Sequence, residues 1–409
     1  MPPDYCTDLL VGWEGYAVHS VTRVDPKTPR ERPQVHIDLV RSEPIFTCSG
    51  CGQACPQIHD VTRRCVRDLP ILDADTYVWF PRYRVACPTC GPKVEALPWL
   101  SRWARVTNRL ADSVVRLCKV LPVQHVATWY GLDWDTVKAL DKAALTVRLL
   151  PVDLSGVTEI AMDEFALRKG HRYATVVLES HRKKILWVGP GRGREDVRPF
   201  FALLGAEGCQ RLQAVVMDMN PAYEAEVRAH APQAAVVYDL FHVVAKYGRE
   251  VIDRVRVDEA NRLRPDRHAR QVVKGARWLL LRNRENVPAA DRIRLRELLA
   301  VNHRLATVYV LKDDLKHLWD YRYPGSEQRF FEEWYRRAIY SRIQPRKTFA
   351  RHLKSKLDGI LAHCRHPLHT SLLEGITNKI KVLKRMAFGY RDDEYFFLKI
   401  MDAYPGFAG

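Results

Sequence analysis

Two pairs of cysteines, Cys48-Ser-Gly-Cys51 and Cys87-Pro-Thr-Cys90, are each followed at once by a glycine, Gly52 and Gly91. Four thiolates are soft ligands suited to one tetrahedral zinc ion. Glycine suits a knuckle whose backbone turns its amides toward the sulfurs. The spacing between the pairs exceeds the usual template, and Cys55, Cys65 and His59 lie between them, each able to substitute for a ligand. The simpler reading keeps these three as core or surface residues, because neither cysteine completes a pair. Six of the 10 cysteines crowd into residues 48–90 of a long chain, which favours a metal over disulfides. Such a centre, a zinc ribbon in outline, is structural rather than catalytic.

A second chemistry is written in carboxylates. Asp163, in IAMDEF, is expected near the C-terminal end of one strand, and Asp218, in AVVMDM, at the end of a later one. Polar residues at strand ends border a cleft in α/β sheets, whereas an unpartnered carboxylate inside an apolar strand is costly. Two aspartates on neighbouring strands oppose each other's ionisation unless a cation lies between them. Mg²⁺, or Mn²⁺ in its place, takes such hard oxygen ligands. Two ions about 3.5–4 Å apart support phosphoryl displacement. The third acid is expected from Glu374, which shares a helical face with Asn378, Lys381 and Arg385, opposite an apolar stripe of Leu373, Ile376, Ile380, Leu383 and Ala387. A solvated face with one ordinary glutamate is the alternative.

The elements that would carry these groups follow from periodicity. YAVHSVTRV and QVHIDLV alternate as strands within residues 1–43, and TYVWFPRYRVA leads into the second cysteine pair within a module spanning 44–98. Residues 99–150 read as helical. Trp103, Val106, Leu110, Val114 and Leu117 fall on one face, followed by a helix-turn-helix outline with Gly131 in the turn and Asp133 as N-cap. Lys138 lies on its second helix, a candidate for DNA contact. From residue 151 to 409 the order is three strands, a helix, a strand, a helix and a strand. That order is expected of an RNase H-like mixed α/β sheet. An almost wholly helical stretch, about 245–365, is read as an insertion, since an unstructured loop of that length is improbable. Its Trp278, Trp319, Tyr321, Trp334 and Tyr335 could stack on DNA bases or form core. Arg262, Arg264, Arg267, Arg270, Lys274 and Arg277 form a basic stretch that could face DNA backbone or solvent.

Charge narrows the partner. The 409 residues carry 65 Lys and Arg against 48 Asp and Glu, a net charge of +17. Such an excess favours a polyanion held by phosphate neutralisation. No apolar run approaches the roughly 18–20 residues of a membrane span, and MPPDYCTDLL has no secretory pattern. A cytoplasmic protein without membrane partners is expected.

Together these blocks resemble a bacterial insertion-sequence transposase of the ISL3 family, within the DDE (Asp-Asp-Glu) superfamily. The likeness covers nearly the whole chain: CSGC and CPTC, AMDEFALRKGHRYATVVLE, VVMDMNPAY, VVYDLFHVV, NHRLATVYVLKDDL and LLEGITNKIKVLKRMAFGYRDDEYF. The last block is the most specific. The resemblance implies that Asp163, Asp218 and Glu374 form the catalytic triad on two Mg²⁺ ions and that Asp239 and His242 support it. It further implies DNA cleavage and strand transfer at terminal inverted repeats, in double-stranded DNA held by a homodimer or larger assembly. Thr370-Ser371-Leu372-Leu373 departs from the family's usual stretch before the glutamate, which leaves the start of that helix open. An inactive DNA-binding regulator derived from a transposase and a structure-specific nuclease are the rival functions.

Overall fold

The computed structural model describes residues 12–406 except 30, 169, 171 and 368–370, and excludes the side chains of 371–374. Two compact units result: Met1–Leu150 with Met386–Gly389, and Pro151–Arg385 with Tyr390–Gly409.

The first unit is built on one five-stranded sheet. β1 (Tyr16–Val24), β2 (Gln34–Arg41), β5 (Ile58–Ile71), β6 (Ala74–Cys87) and β7 (Gly91–Val94) are ordered β1-β2-β6-β5, with β7 also on β6. A small hairpin of β3 (Phe46–Thr47) and β4 (Ala54–Cys55) carries the first cysteine pair. The alternation of β1, β2 and β6 was readable; β5 was not, because its charged run RRCVRD disguises a half-buried strand. The sheet runs across the residue-43 boundary, since β2 pairs in parallel with β6. Val78, Phe80, Ile37 and Trp99 form its core, with the Phe80 and Trp99 rings 5.0 Å apart. Buried Asp68 ties the sheet to the helical part, accepting hydrogen bonds from Trp13 Nε1 (2.8 Å), Thr107 Oγ1 (2.7 Å) and Arg109 Nε (2.7 Å).

Three helices follow: α1 (Asn108–Cys118), α2 (Val123–Tyr130) and α3 (Trp134–Leu149). The long helix expected from about residue 100 is shorter than its periodicity suggested. Thr107 caps α1 by accepting from Leu110 N, and Trp103, expected on the apolar face, sits in the preceding loop, 70% exposed. Gly131 closes α2 in the left-handed region (φ 59°), where glycine is favoured, and Asp133 takes the N-cap position of α3 without a capping side-chain hydrogen bond.

The second unit holds the sheet β10-β9-β8-β11-β12, made of β8 (Glu159–Arg168), β9 (Arg172–Glu179), β10 (Lys184–Pro190), β11 (Ala214–Met217) and β12 (Ala235–Tyr238). β8, β11 and β12 are mutually parallel; β9 is antiparallel to both its neighbours. α4 (Arg194–Arg211) and α5 (Pro221–His230) make the crossovers, and α6 (Leu240–Tyr247) leaves β12. Asn220 caps α5 through Ala222 N, with Pro221 as its first helical residue. From Asp253 to Leu361 the regular structure is helical, and Tyr247, Phe331, Trp334 and Phe349 share one core with Val215, Met217 and Val236 of the sheet.

That helical region holds a buried acid. Glu327 is 0% exposed, 3.1 Å from the Cys364 thiol and 3.5 Å from His363 Nδ1. Burial pushes its pKa to about 7. The carboxyl is therefore protonated in the fold where the unfolded chain, near 4.5, is already ionised. Its contribution to stability is complete below pH 4.5 and is lost as pH rises through 7. Glu327→Gln should accordingly gain thermal stability relative to the parent as pH moves from 5 to 8. Melting curves that shift equally at both values would refute this.

Candidate active site and cysteine centre

The parallel ladders bring three aspartates into one row. Ala161 pairs with Val216 and Met217 with Tyr238. Continuing each ladder puts residue 218 beside 163 on one side and beside 239 on the other. Asp163 differs from its expected place: it lies mid-strand in β8, which continues to Arg168 as a hairpin with β9. It nevertheless sits just beyond the parallel pairing with β11, so it borders the cleft.

Each carboxylate is held. Asp163 is 6% exposed; its Oδ1 accepts from Glu164 N (2.8 Å) and its Oδ2 from Thr377 Oγ1 (3.0 Å). Asp218 Oδ1 accepts from Asn220 N (3.0 Å). Asp239 caps α6 through Phe241 N (2.8 Å). On α6, His242 Nε2 lies 3.7 Å from Asp163 Oδ1 and 3.9 Å from Asp239 Oδ2. Burial raises the pKa of Asp163, against the pull of His242. Burial likewise pushes Asp218 to about 6, with the charges of Glu164 and Asp163 adding to it. Asp163 and Asp218, neighbouring hard oxygens whose ionised form is disfavoured, are a donor set that fits Mg²⁺, because a cation would reverse both costs.

Glu374 lies on the Ser371–Met386 helix; its side chain is outside the described residues. Thr377, three positions later on that helix, is the group that touches Asp163. Residue type alone does not single out Thr377, although its one-turn spacing from Glu374 is a usable signal. Glu164 pairs with Arg192 at 2.7 Å, and its charge acts on Asp218.

The four cysteines meet. The sulfurs of Cys48, Cys51, Cys87 and Cys90 lie within 4.8 Å of one another, with Cys51 Sγ and Cys87 Sγ 3.6 Å apart. Tetrahedral zinc with bonds of about 2.3 Å needs such spacings. Gly52 and Gly91 both adopt positive φ, 75° and 68°, and Gly50 N points at Cys48 Sγ (3.3 Å). The amides of Cys90 and Thr89 stabilise the Cys87 thiolate and pull its pKa to about 6. Cys55, Cys65 and His59 are not part of this group.

The expected DNA-contact residues are dispersed. Asn378, Lys381 and Arg385 are exposed on the Ser371–Met386 helix, with Lys381 Nζ 3.4 Å from Asn378 Oδ1. Lys138 lies over the Trp134 ring at 5.5 Å. Arg270 is half-buried and Lys274 exposed; Arg262 and Arg277 of the same stretch pair with Glu259 and Asp253. Of the five aromatics singled out, Trp334 is core, donating to Leu311 O (3.0 Å), and Trp278 is 67% exposed. Trp278 lines a cleft of about 680 Å³ with Phe241, Arg249 and Lys316.

Known proteins match this architecture in order along the chain. A zinc-finger model of the transposases of IS204, IS1001, IS1096 and IS1165 covers residues 45–90, and a helix-turn-helix model of ISL3 transposases covers 95–145. A transposase model of the ISL3 DDE type covers 160–400. The transposase for insertion sequence element IS1001 of Bordetella parapertussis is 52% identical over 402 residues, 98% of both chains. The transposase for IS1557 of Mycobacterium tuberculosis is 28% identical over 377 residues, 87% of this chain and 84% of its own. Likeness of that extent decides the family: this chain belongs to the ISL3 transposases.

Proposed function

We propose that the chain cuts DNA at the terminal inverted repeats of its element and transfers the strand, with Asp163, Asp218 and Glu374 as the metal-binding triad. The observation that carries this reading is the Thr377–Asp163 hydrogen bond. It ties the helix bearing residue 374 to the strand bearing the first acid, across more than two hundred residues of sequence. The sheet order with three antiparallel-linked strands followed by two parallel ones supports an RNase H-like core. Two Mg²⁺ ions, when bound, would activate the attacking oxygen and neutralise the departing one.

The chain's own groups have definite tasks. Asp163 and Asp218 supply oxygens from adjacent strands, a rigid base that fixes their separation. Asp239 holds the start of α6 and thereby aims His242 at Asp163, as positioning residues. The cysteine module would carry one structural zinc, and with residues 99–150 it would recognise the DNA ends. Asn378, Lys381, Arg385, Lys138, Arg270 and Lys274 are assigned to DNA contact. A homodimer or larger assembly would unite two ends in the cytoplasm.

The test is a cleavage assay with Mg²⁺ on duplexes spanning the element's own genomic flanks, with product ends mapped. Nicks with 3′-OH termini at the element's tips are expected. Absence of nicking would favour the regulator; cutting of branched DNA regardless of end sequence would favour the nuclease.

A further inference from the structure

The face of the first sheet that builds the core changes character along its length. β5 and β6 are both 14 residues long, and on their shared face the pairs run Val66–Val78, Arg64–Phe80, Thr62–Arg82 and Asp60–Arg84. Where the apolar core ends, arginines begin. They line a groove of about 470 Å³ together with Lys93, just past the second cysteine knuckle, and Arg102 and Trp103, in the loop entering α1. No acidic side chain lines it; Asp60 touches Arg84 from outside at 2.9 Å.

Two features mark this groove as built. Arg82 is only 6% exposed, yet its Nε and one terminal nitrogen have no hydrogen-bond partner. Burial works against the Arg82 charge while Glu95 alone among the carboxylates favours it, so a further negative charge in the groove would offset part of that cost. Trp103 holds φ at +64°, a conformation that bulky side chains avoid. The loop is pinned there: Asn108 Oδ1 accepts from Ser101 N (3.0 Å) and Ser101 Oγ (2.8 Å), and Arg64 donates to Ala104 O (3.3 Å). The strain presents an indole at the groove's rim.

We propose that this groove binds consecutive phosphates of the DNA backbone, with Arg82 at its floor, Arg64, Arg84, Lys93 and Arg102 around it, and Trp103 against a sugar or base. The proposal rests on the DNA-end reading above and adds a site to it. Phosphate contacts position a duplex without reading its sequence, so the groove would set the register in which the neighbouring helices are presented.

The experiment measures affinity of the full-length, zinc-loaded chain for an end-containing duplex and for an unrelated duplex of equal length, across a salt series. Lys93→Gln with Arg102→Gln alters only exposed side chains. It should weaken both duplexes alike, by about tenfold, and flatten the salt slope by roughly one to two phosphates. Trp103→Gly should weaken binding while holding or raising the melting temperature, since glycine is at ease at that φ; a purely structural tryptophan would lower it. A parent that binds with both variants matching its affinity and slope would overturn the groove and leave the DNA reading intact. A parent that binds neither duplex would overturn both.

Discussion

Asp218→Asn and Asp163→Asn should each reduce Mg²⁺-dependent strand cleavage at least about a thousandfold, equivalent to about 4 kcal/mol of transition-state stabilisation. Glu374→Gln should do the same. Asparagine preserves the size of each side chain and its Oδ1 acceptor, so Glu164 N and Asn220 N keep their partners. What vanishes is the charge that would hold the cation. Burial already disfavours that charge, pushing Asp218 to about 6. Asp218→Asn should therefore leave the melting temperature in EDTA unchanged or raised at pH 8. Duplex affinity should change less than the cleavage rate by orders of magnitude. A variant that folds, binds DNA and still cuts at more than about a tenth of the parental rate would remove that residue from the triad.

Cys48→Ser and Cys87→Ser should each release the zinc and unfold the cysteine module. Structural zinc contributes roughly 10–16 kcal/mol of apparent binding free energy in small modules, and the β3–β4 hairpin has little core besides the cysteines, Phe46 and Val85. Metal analysis should fall from about one zinc per chain to a small fraction of that. Cys65→Ser is the control: Cys65 lies on β5 outside the four-sulfur group and should keep the metal. Full zinc content in the Cys48 or Cys87 variant would refute the ligand assignment.

Local pattern made much of this legible. The cysteine pairs with their glycines, the strands β1, β2 and β8–β12 and the turn at Gly131 all depend on residues close in sequence. Where a local signal misled, a distant partner had overridden it. The run from residue 100 repeats at helical spacing, yet Trp99 packs on Phe80 and Asn108 holds Ser101, so the helix begins only after Thr107. β5 hides under its arginines because one half of its face meets solvent and the groove rather than apolar core.

The sequence by itself determined the chemistry available: soft sulfurs in pairs, hard carboxylates in or after apolar strands, and an excess of cations for a polyanion. Only the tertiary structure decided which carboxylates stand together. The row of Asp163, Asp218 and Asp239 arises because β8, β11 and β12 pair in parallel at one fixed register, and hydrogen bonds between strands are set by the folded sheet. The Thr377 hydroxyl meets Asp163, and two nitrogens of Arg82 lie buried without a hydrogen-bond partner, for the same reason. Each depends on packing between segments that periodicity along the chain cannot relate.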